Sequence, residues 1–253
     1  MKLLVDVGNT LSVFGVWDGE RVLRKWRLST PTIGTEDQLW IFVEGFMKAL
    51  GVRPPDIDRV TVSSVVPSMS HLLQNLCTRY LGLVPIFVFP SEEIGVTWGA
   101  DHPREIGADR ISNVLGYITY HASSGIVLDF GTAIKVEVIT SKSFVGGIIL
   151  PGPSLAMRAL FSGTAKLPEV DLFFEDHVIG TNTGDNIRIG TVNATYYALM
   201  GLLKEIQEQT GPLPVLGTGG WLDLFEKCPG LMDRTDPDLT LKGIASFSDR
   251  LNR

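Results

Sequence analysis

Short apolar runs separated by polar turns open the chain and predict β-strands. Three such runs cover Lys2–Val7, Ser12–Trp17 and Val22–Leu28, and the Asp18-Gly19 pair between the last two is a strong hairpin signal. Each run is short and bounded by glycine or polar residues, as strands usually are. The opening of the chain is therefore predicted to be an antiparallel meander of three strands.

The apolar spacing changes to a helical period after the meander. Leu39, Phe42, Val43 and Phe46 recur at intervals of three and four residues, which predicts a helix that ends before Gly51. The remaining elements predicted in the first half are this helix at 36–50, a strand at 59–66, a helix from Pro67 to about Tyr80 and a strand at 84–89. Their order with the meander is βββαβαβ.

The second half repeats this order loosely. The predicted strands are Gly125–Asp129, Lys135–Thr140, Ser143–Leu150 and Leu213–Leu216, and the predicted helices are Pro153–Phe161, Thr183–Thr210, Trp221–Lys227 and Lys242–Leu251. The segment Asp101–Gly116 is expected to bridge the two halves. We therefore predict an α/β chain of two related domains, residues 1–116 and 117–253.

One local pattern occurs once in each half, as Asp6–Thr10 (DVGNT) and as Asp129–Ala133 (DFGTA). In both, an apolar strand delivers a carboxylate to its carboxyl end, the glycine lets the backbone approach a ligand, and a short polar residue follows. A second apolar run comes at once, so both copies predict β-hairpins. A single Asp-x-Gly turn is most often only a turn, whereas the matched pair favours a phosphate and metal site.

Composition and net charge limit the classes of molecule that the protein is expected to bind. The formal net charge is -6 and no basic run occurs, which argues against nucleic acid or an anionic membrane as the main partner. The two cysteines, Cys77 and Cys228, form no metal-binding or disulfide pattern and favour a reducing, cytoplasmic setting. Met1 leads directly into the first strand, so no signal peptide is expected, and no apolar stretch approaches the roughly 20 residues that span a bilayer.

Asp109 stands where a helix is expected to begin. Gly107 and Ala108 precede it, and the apolar residues Ile111 and Val114 follow at helical spacing. A carboxylate in this position most often stabilises the start of the helix, and a catalytic role needs support from neighbouring motifs. The residues alone leave both roles open.

Six strings in register give the chain a resemblance to one family. They are Asp6–Thr10, Ser63–Pro67, Gly107–Arg110, Asp129–Ala133, Gly146-Gly147 with Pro151-Gly152, and Ala165–Pro168. In this order and rough spacing, over nearly the full length, they resemble the type III pantothenate kinases. The resemblance implies the actin-like ATPase (ribonuclease H-like) fold, which is α/β with two related βββαβαβ halves and a nucleotide cleft between them.

The resemblance also implies an activity. This is the ATP-dependent phosphorylation of pantothenate to 4'-phosphopantothenate, the first step of coenzyme A biosynthesis, by a homodimer that uses Mg2+ and a monovalent cation, K+ or NH4+. Asp109 matches the proton acceptor, Asp6 a carboxylate near Mg2+, and Asp129 a ligand of the monovalent cation. ATP contacts are implied at Asp6, Val7, Gly8, Asn9, Thr10, Leu11, Ser12, Val13 and Thr132. Pantothenate contacts are implied at Gly107, Ala108, Asp109, Arg110 and, across the dimer interface, Thr183.

Ordinary structural roles stay open for several of these residues. The planar guanidinium of Arg110 suits a substrate carboxylate, but it could equally form a surface salt bridge. Thr183 lies at the start of a predicted helix, where a threonine commonly caps. The turn Gly217–Gly220 resembles the nucleotide-side turn of the family, yet glycine-rich turns between a strand and a helix are common.

The chain departs from the family pattern in the second turn. Where relatives carry two threonines and an aspartate, this chain has Ile134, Lys135 and Glu137. We hypothesise that the Lys135 ammonium points into the site and supplies the positive charge that potassium otherwise provides. The alternative is that Lys135 faces solvent on an alternating strand.

Three functions are consistent with the sequence. An active pantothenate kinase ranks first, because the expected acidic, arginine and threonine residues are all present. A non-catalytic paralogue that binds nucleotide or pantothenate and acts as a regulator is favoured only by the altered second turn. A sugar or acetate kinase would share the fold but not the Gly107–Arg110 string, and it ranks last.

Overall fold

The computed structural model describes residues 1–164 and 167–251, so Ala165 and Lys166 of the sixth family string lie outside the described residues. The chain forms two compact units. Unit 1 contains Met1–Ser123, Ser141–Val145 and the chain from Asp238 onward, and unit 2 contains Ser124–Thr140 and Gly146–Pro237. The predicted domains, 1–116 and 117–253, differ from these units chiefly because the last helix belongs to unit 1.

Unit 1 is built on a five-stranded sheet with helices on it. Its elements up to residue 120 are β1 (Lys2–Val7), β2 (Leu11–Trp17), β3 (Val22–Ser29), α1 (Glu36–Ala49), β4 (Arg59–Ser64), α2 (Pro67–Leu76), β5 (Ile86–Phe87), β6 (Thr97–Trp98) and α3 (Ala108–Tyr120). The strand order is β3-β2-β1-β4-β5, with β1 antiparallel to β2 and parallel to β4. The carboxyl ends of β1 and β4 therefore lie side by side, with Asp6 opposite Ser63.

The predicted hydrophobic pattern produces the core of unit 1. The apolar residues Val5, Val7 and Phe14 of the sheet are fully buried together with Leu39 and Val43 of α1. Helix α1 begins where the hydroxyl of Thr35 accepts a hydrogen bond from the backbone N–H of Gln38, as an N-cap does. The meander, α1 and the order βββαβαβ are thus confirmed in this unit.

Unit 2 repeats the sheet of unit 1. Its elements are β7 (Gly125–Phe130), β8 (Ala133–Thr140), β9 (Ser143–Pro151, of which the first residues belong to unit 1), α4 (Pro153–Gly163), α5 (Thr183–Arg188), α6 (Ala194–Thr210), β10 (Val215–Thr218), α7 (Leu222–Phe225) and β11 (Arg234–Thr235). The order β9-β8-β7-β10-β11 is that of β3-β2-β1-β4-β5, with β7 in the place of β1. In unit 1, β6 pairs with Ser143 and Phe144 of β9.

Three predicted elements are wrong in detail. The helix predicted at Thr183–Thr210 is interrupted by a π-helical turn at Ile189–Asn193. The strand predicted at 84–89 is reduced to the two residues of β5. Asp101–Gly116 does not bridge two halves, because it contains a 3-10 turn and most of α3, and α3 packs within unit 1.

The last helix, α8 (Leu239–Arg250), packs against α3 at very short range. A Cβ on Gly243 would lie 1.7 Å from the carbonyl oxygen of Ser112, and a Cβ on Gly116 would lie 2.5 Å from that of Leu239. Only glycine permits this approach of the two backbones. Helix α8 thereby holds α3 and the residues at its N-terminus in place.

Within the part of the chain described here, no helix has both the length and the apolar character needed to cross a membrane.

Candidate active site

The first Asp-x-Gly turn is a closed hairpin, as predicted. The backbone N–H of Gly8 donates to the carbonyl of Leu11 at 3.0 Å. Thr30 fixes the turn from the side, because its hydroxyl donates to the carbonyl of Gly8 at 2.8 Å and its N–H donates to that of Thr10 at 3.0 Å. No motif points to Thr30, because it follows β3 and reaches the turn only through the fold.

The residues expected to contact ATP differ in their exposure. The side chains of Val7 and Ser12 are fully buried, and the Ser12 hydroxyl lies 2.9 Å from that of Thr30. Asn9 and Thr10 are exposed at the tip of the turn. The tip of the turn is therefore exposed, while its flanking strands are held in the sheet.

The Asp6 carboxylate lies at the carboxyl end of β1, half-buried beside this turn. The hydroxyl of Ser63 on the adjacent strand β4 donates to Asp6 Oδ1 at 3.0 Å. This bond orients the carboxylate and satisfies part of its hydrogen-bonding capacity. Ser63 belongs to a string that carried the resemblance, but the sequence alone assigned it no role.

Asp109 lies in the first turn of α3, whose N-cap is Gly107. Its Oδ1 accepts a hydrogen bond from the backbone N–H of Arg110 at 2.9 Å and folds back over Gly107. A Cβ on Gly107 would lie 2.6 Å from Asp109 Oδ1 and 3.6 Å from Cγ1 of Val65. The position of the carboxylate therefore depends on the absence of a side chain at Gly107, which explains the glycine of this string.

The Arg110 guanidinium lies over the ring of Phe144, with its Cζ 5.3 Å from the ring centroid. Phe144 is buried and packs against Trp98, at 6.0 Å between ring centroids. A guanidinium held over an aromatic face is fixed in its plane, and its hydrogen bonds form at its edge. The arrangement suits recognition of a planar anion such as a carboxylate.

A cavity of about 430 Å³ lies in unit 1, at the carboxyl end of β4 and along α2. It is lined by Ser64, Val65, Pro67, Ser70, His71, Gln74 and Phe87. The cavity shares Val65 with the surroundings of Gly107, the N-cap of α3. Its size and mixed polar and apolar lining are in the range of small-molecule sites.

Backbone packs tightly around the second Asp-x-Gly turn, in unit 2. A Cβ on Gly152 would lie 2.3 Å from the carbonyl oxygen of Gly131, and the Gly152 N–H donates to the carbonyl of Thr132 at 3.0 Å. On the other side, Gly219 has φ of +103°, and a Cβ there would lie 2.6 Å from Asp129 Oδ1. The close approach of these backbones explains the Pro151-Gly152 string and the glycine turn after β10.

Lys135 pairs with Asp129 in this turn. The two residues are opposite each other in the β7–β8 hairpin, and Lys135 Nζ lies 2.8 Å from Asp129 Oδ2. Their side chains are only 15% and 10% exposed. The alternative that Lys135 faces solvent is therefore wrong. Of the other two altered positions, Ile134 packs in the unit 2 core and Glu137 is fully buried.

Thr183 is the first residue of α5 and is exposed. The cap of the helix is Asn182, whose side-chain oxygen accepts from the N–H of Asp185 at 3.0 Å, so Thr183 does not take the capping role considered for it. Arg188 stabilises the same helix through bonds to Glu175 and Asp185, and the bond to Glu175 is the main cause that raises the pKa of Arg188. The hydroxyl of Thr183 thus lies on a well-fixed helix start.

The carboxylates of the site do not form a ready-made metal cage. Within the described ranges, no group of three or more His, Cys, Asp or Glu residues is placed to hold a metal ion. A divalent ion bound by Asp6 would therefore take its other ligands from substrate phosphates and water, as Mg2+ often does.

Comparisons with known proteins agree on one family. The model of a family described as type III pantothenate kinase matches residues 2–205. The chain is 47% identical over 254 residues to the type III pantothenate kinase of Kosmotoga olearia, covering 100% of this chain and 97% of that relative. It is 36% identical over 255 residues to the type III pantothenate kinase of Petrotoga mobilis, covering 100% of both.

A solved structure gives the fold independently. Component A of the (R)-2-hydroxyglutaryl-CoA dehydratase of Acidaminococcus fermentans superimposes with a TM-score of 0.59 at 11% identity, covering 99% of this chain and 98% of that one. At this identity the likeness concerns the fold alone. The predicted actin-like ATPase fold, with two related sheets, is confirmed.

Proposed function

Because this chain belongs to the type III pantothenate kinase family, we propose that it phosphorylates the terminal hydroxyl of pantothenate from ATP with Asp109 as proton acceptor. The hydroxyl oxygen attacks the γ-phosphorus, the bond from this phosphorus to the β–γ bridging oxygen breaks, and ADP leaves. The hydroxyl proton passes to the Asp109 carboxylate. The observation that carries this role is the Asp109 carboxylate folded over Gly107, next to Val65, which also lines the cavity.

Arg110 supplies the contact to the carboxylate of pantothenate in this proposal. Its guanidinium is a permanent cation, and its planar fork matches a carboxylate with two parallel hydrogen bonds. The stacking on Phe144 supports this role, because it fixes the plane of the guanidinium before substrate binds. Arg110 thereby sets the direction in which the substrate hydroxyl extends toward Asp109.

The first turn is proposed to contact the phosphates of ATP. Asn9 and Thr10 present exposed polar side chains there, and the bonds from Thr30 keep the turn in one conformation. Asp6 would hold Mg2+, since a half-buried carboxylate oriented by Ser63 fits the one or two protein ligands that this ion usually takes. Mg2+ neutralises charge on phosphate oxygens during phosphoryl transfer.

The protein is also proposed to act as a homodimer. Thr183 is assigned to the pantothenate of the partner subunit, and its exposed position at the fixed start of α5 supports this assignment. Thr132 is assigned to ATP in the second turn, where its carbonyl already holds Gly152. A cytoplasmic location belongs to the same proposal, as expected of a kinase in coenzyme A biosynthesis.

The substitution Asp109→Asn tests the catalytic role. It keeps the size of the side chain and removes its ability to accept a proton, so we expect pantothenate-dependent ADP formation to fall about 100-fold or more. Asp223→Asn is the matched control, because Asp223 is also an acidic residue in the first turn of a helix, α7. Equal losses in both variants would assign Asp109 to helix stability alone.

The same assay tests the alternative of a non-catalytic paralogue, which the altered second turn favours. An active kinase consumes ATP only when pantothenate is present. A regulator binds nucleotide or pantothenate, detectable by calorimetry, with negligible turnover in both wild type and Asp109→Asn. That pattern would replace the kinase proposal.

A further inference from the structure

A buried carboxylate needs a nearby positive charge, and Asp129 has one within its own chain. Its side chain is 10% exposed, and the ammonium of Lys135 lies 2.8 Å from Oδ2. This is the length of a charge-assisted hydrogen bond. Removing a carboxylate from water without such a partner is costly, so the pair is what makes Asp129 stable in this position.

The monovalent cation that the family resemblance implies at Asp129 does not fit this carboxylate. One oxygen already binds the Lys135 ammonium. The other is closely covered by backbone, since a Cβ on Gly219 would lie only 2.6 Å from Oδ1. A second cation at Oδ2 would be placed within a few ångströms of Nζ, where like charges repel strongly in a poorly solvated site.

The Lys135 ammonium lies close to the glycine of the second Asp-x-Gly turn. A Cβ on Gly131 would be 3.9 Å from Lys135 Nζ and 3.8 Å from Asp129 Oδ1, so the charge is held beneath the second Asp-x-Gly turn. An ammonium group carries the same single charge as K+ and NH4+. Because Lys135 is the direct cross-strand partner of Asp129, the hairpin register itself brings the charge to this place.

We infer that Lys135 is a tethered replacement for the monovalent cation, so that this enzyme works without K+ or NH4+. The inference rests on the proposed kinase function for its activity readout, but not for its binding readout. The inference also explains why position 134 is occupied by the apolar residue Ile134. With the charge supplied by Lys135, a hydroxyl is not required at the preceding position, and that side chain packs in the core instead.

The first experiment compares cations in the wild-type protein and needs no variant. Pantothenate-dependent ADP formation is measured in KCl and in tetramethylammonium chloride at equal ionic strength, after removal of ammonium. We expect kcat to differ by less than about 2-fold, because the charge is covalently attached. A strong activation by K+ would overturn the inference.

The second experiment removes the ammonium. Lys135→Thr restores the residue type that relatives have and leaves room for an ion, and Lys204→Thr is the control at an exposed lysine of the same unit. We expect Lys135→Thr to lose about 10-fold or more of its activity in tetramethylammonium and to recover most of it in KCl, as for loss and replacement of an electrostatic group. The control should be insensitive to the cation. A variant that KCl does not rescue would contradict the inference.

Thermal unfolding separates this inference from the kinase proposal. If Lys135 occupies the cation position, added KCl should raise the Tm of Lys135→Thr relative to tetramethylammonium and leave wild type unchanged, whether or not the protein turns over pantothenate. A potassium-specific rise in the Tm of wild type would overturn the inference. Absence of turnover in all proteins, with the expected Tm pattern, would overturn only the kinase proposal.

Discussion

Replacing Gly107 with alanine should damage catalysis while leaving the fold intact. The backbone angles of Gly107, φ −58° and ψ 143°, are accessible to any residue, so alanine meets no conformational strain. Its new methyl group would instead lie 2.6 Å from Asp109 Oδ1. The nearest atom is the end of a mobile side chain, so the carboxylate moves and the helix does not.

The size of the effect follows from this distance. Ordinary van der Waals contact begins at 3.4 Å, so the Asp109 oxygen must shift by about 0.8 Å. A misplacement of about 1 Å at a reacting group costs on the order of 100-fold in rate, and we therefore expect kcat to fall about 10- to 100-fold. The free energy of unfolding should fall by about 1 kcal/mol, the typical difference between glycine and alanine at an N-cap.

The assay is pantothenate-dependent ADP release together with thermal unfolding of each variant. Gly34→Ala is the matched control, since Gly34 directly precedes the capping residue of α1 and its new Cβ would meet only the side-chain oxygen of Gln38, at 3.3 Å. It should retain wild-type kcat. In the double variant with Asp109→Asn, the loss should be no greater than for Asp109→Asn alone, because both changes act through one carboxylate. Full activity of Gly107→Ala, or additive losses in the double variant, would refute the reasoning.

Two further predictions concern stability and reactivity. In Gly243→Ala the new Cβ would lie 1.7 Å from the Ser112 carbonyl oxygen, so we expect the free energy of unfolding to fall by about 2 kcal/mol or more and Tm by about 4–8 °C. The control is Gly45→Ala in α1, where the new Cβ has no neighbour within 4 Å and the free energy of unfolding should rise by about 0.5–1 kcal/mol. Similar Tm shifts in the two variants would contradict the close packing of α3 and α8. Burial raises the pKa of the Cys77 thiol to about 12, so Ellman's reagent at pH 8 should label Cys77 only when the protein unfolds. Since the unfolded chain ionises this thiol near 9 and the folded chain does not, stability should also decline between about pH 9 and 12, and Cys77→Ala should lack that part of the decline.

The strands of both sheets could be predicted because their apolar residues are local signals. The meander and the hairpin of the second turn follow from short apolar runs around glycine, and their observed bounds differ by one or two residues from the prediction. The π-helical turn at Ile189–Asn193 was not predicted, since a single turn is shorter than the window over which an apolar period can be recognised. The two-residue strand β11 is too short to show any period.

Sequence motifs propose the residues of the candidate site, but its contacts depend on the fold. Asp6 and Asp109 were identified from motifs, whereas Ser63 and Thr30, which orient the first turn, act through contacts between residues far apart in sequence. The Lys135–Asp129 pair could be predicted in part. A tight hairpin fixes its own register, so the pairing could have been derived from the sequence, but the burial that makes it important depends on the glycines at 152 and 219.

The packing of α8 on α3 has a consequence for how the protein is made. A ribosome adds about 5–20 residues per second, so α8 leaves it on the order of ten seconds after α3. Until then the side of α3 that carries Gly116 lacks its packing partner, and unit 1 is incomplete although all of unit 2 has already been synthesised. The N-terminal strands are translated first, yet the unit they belong to is the last to be completed.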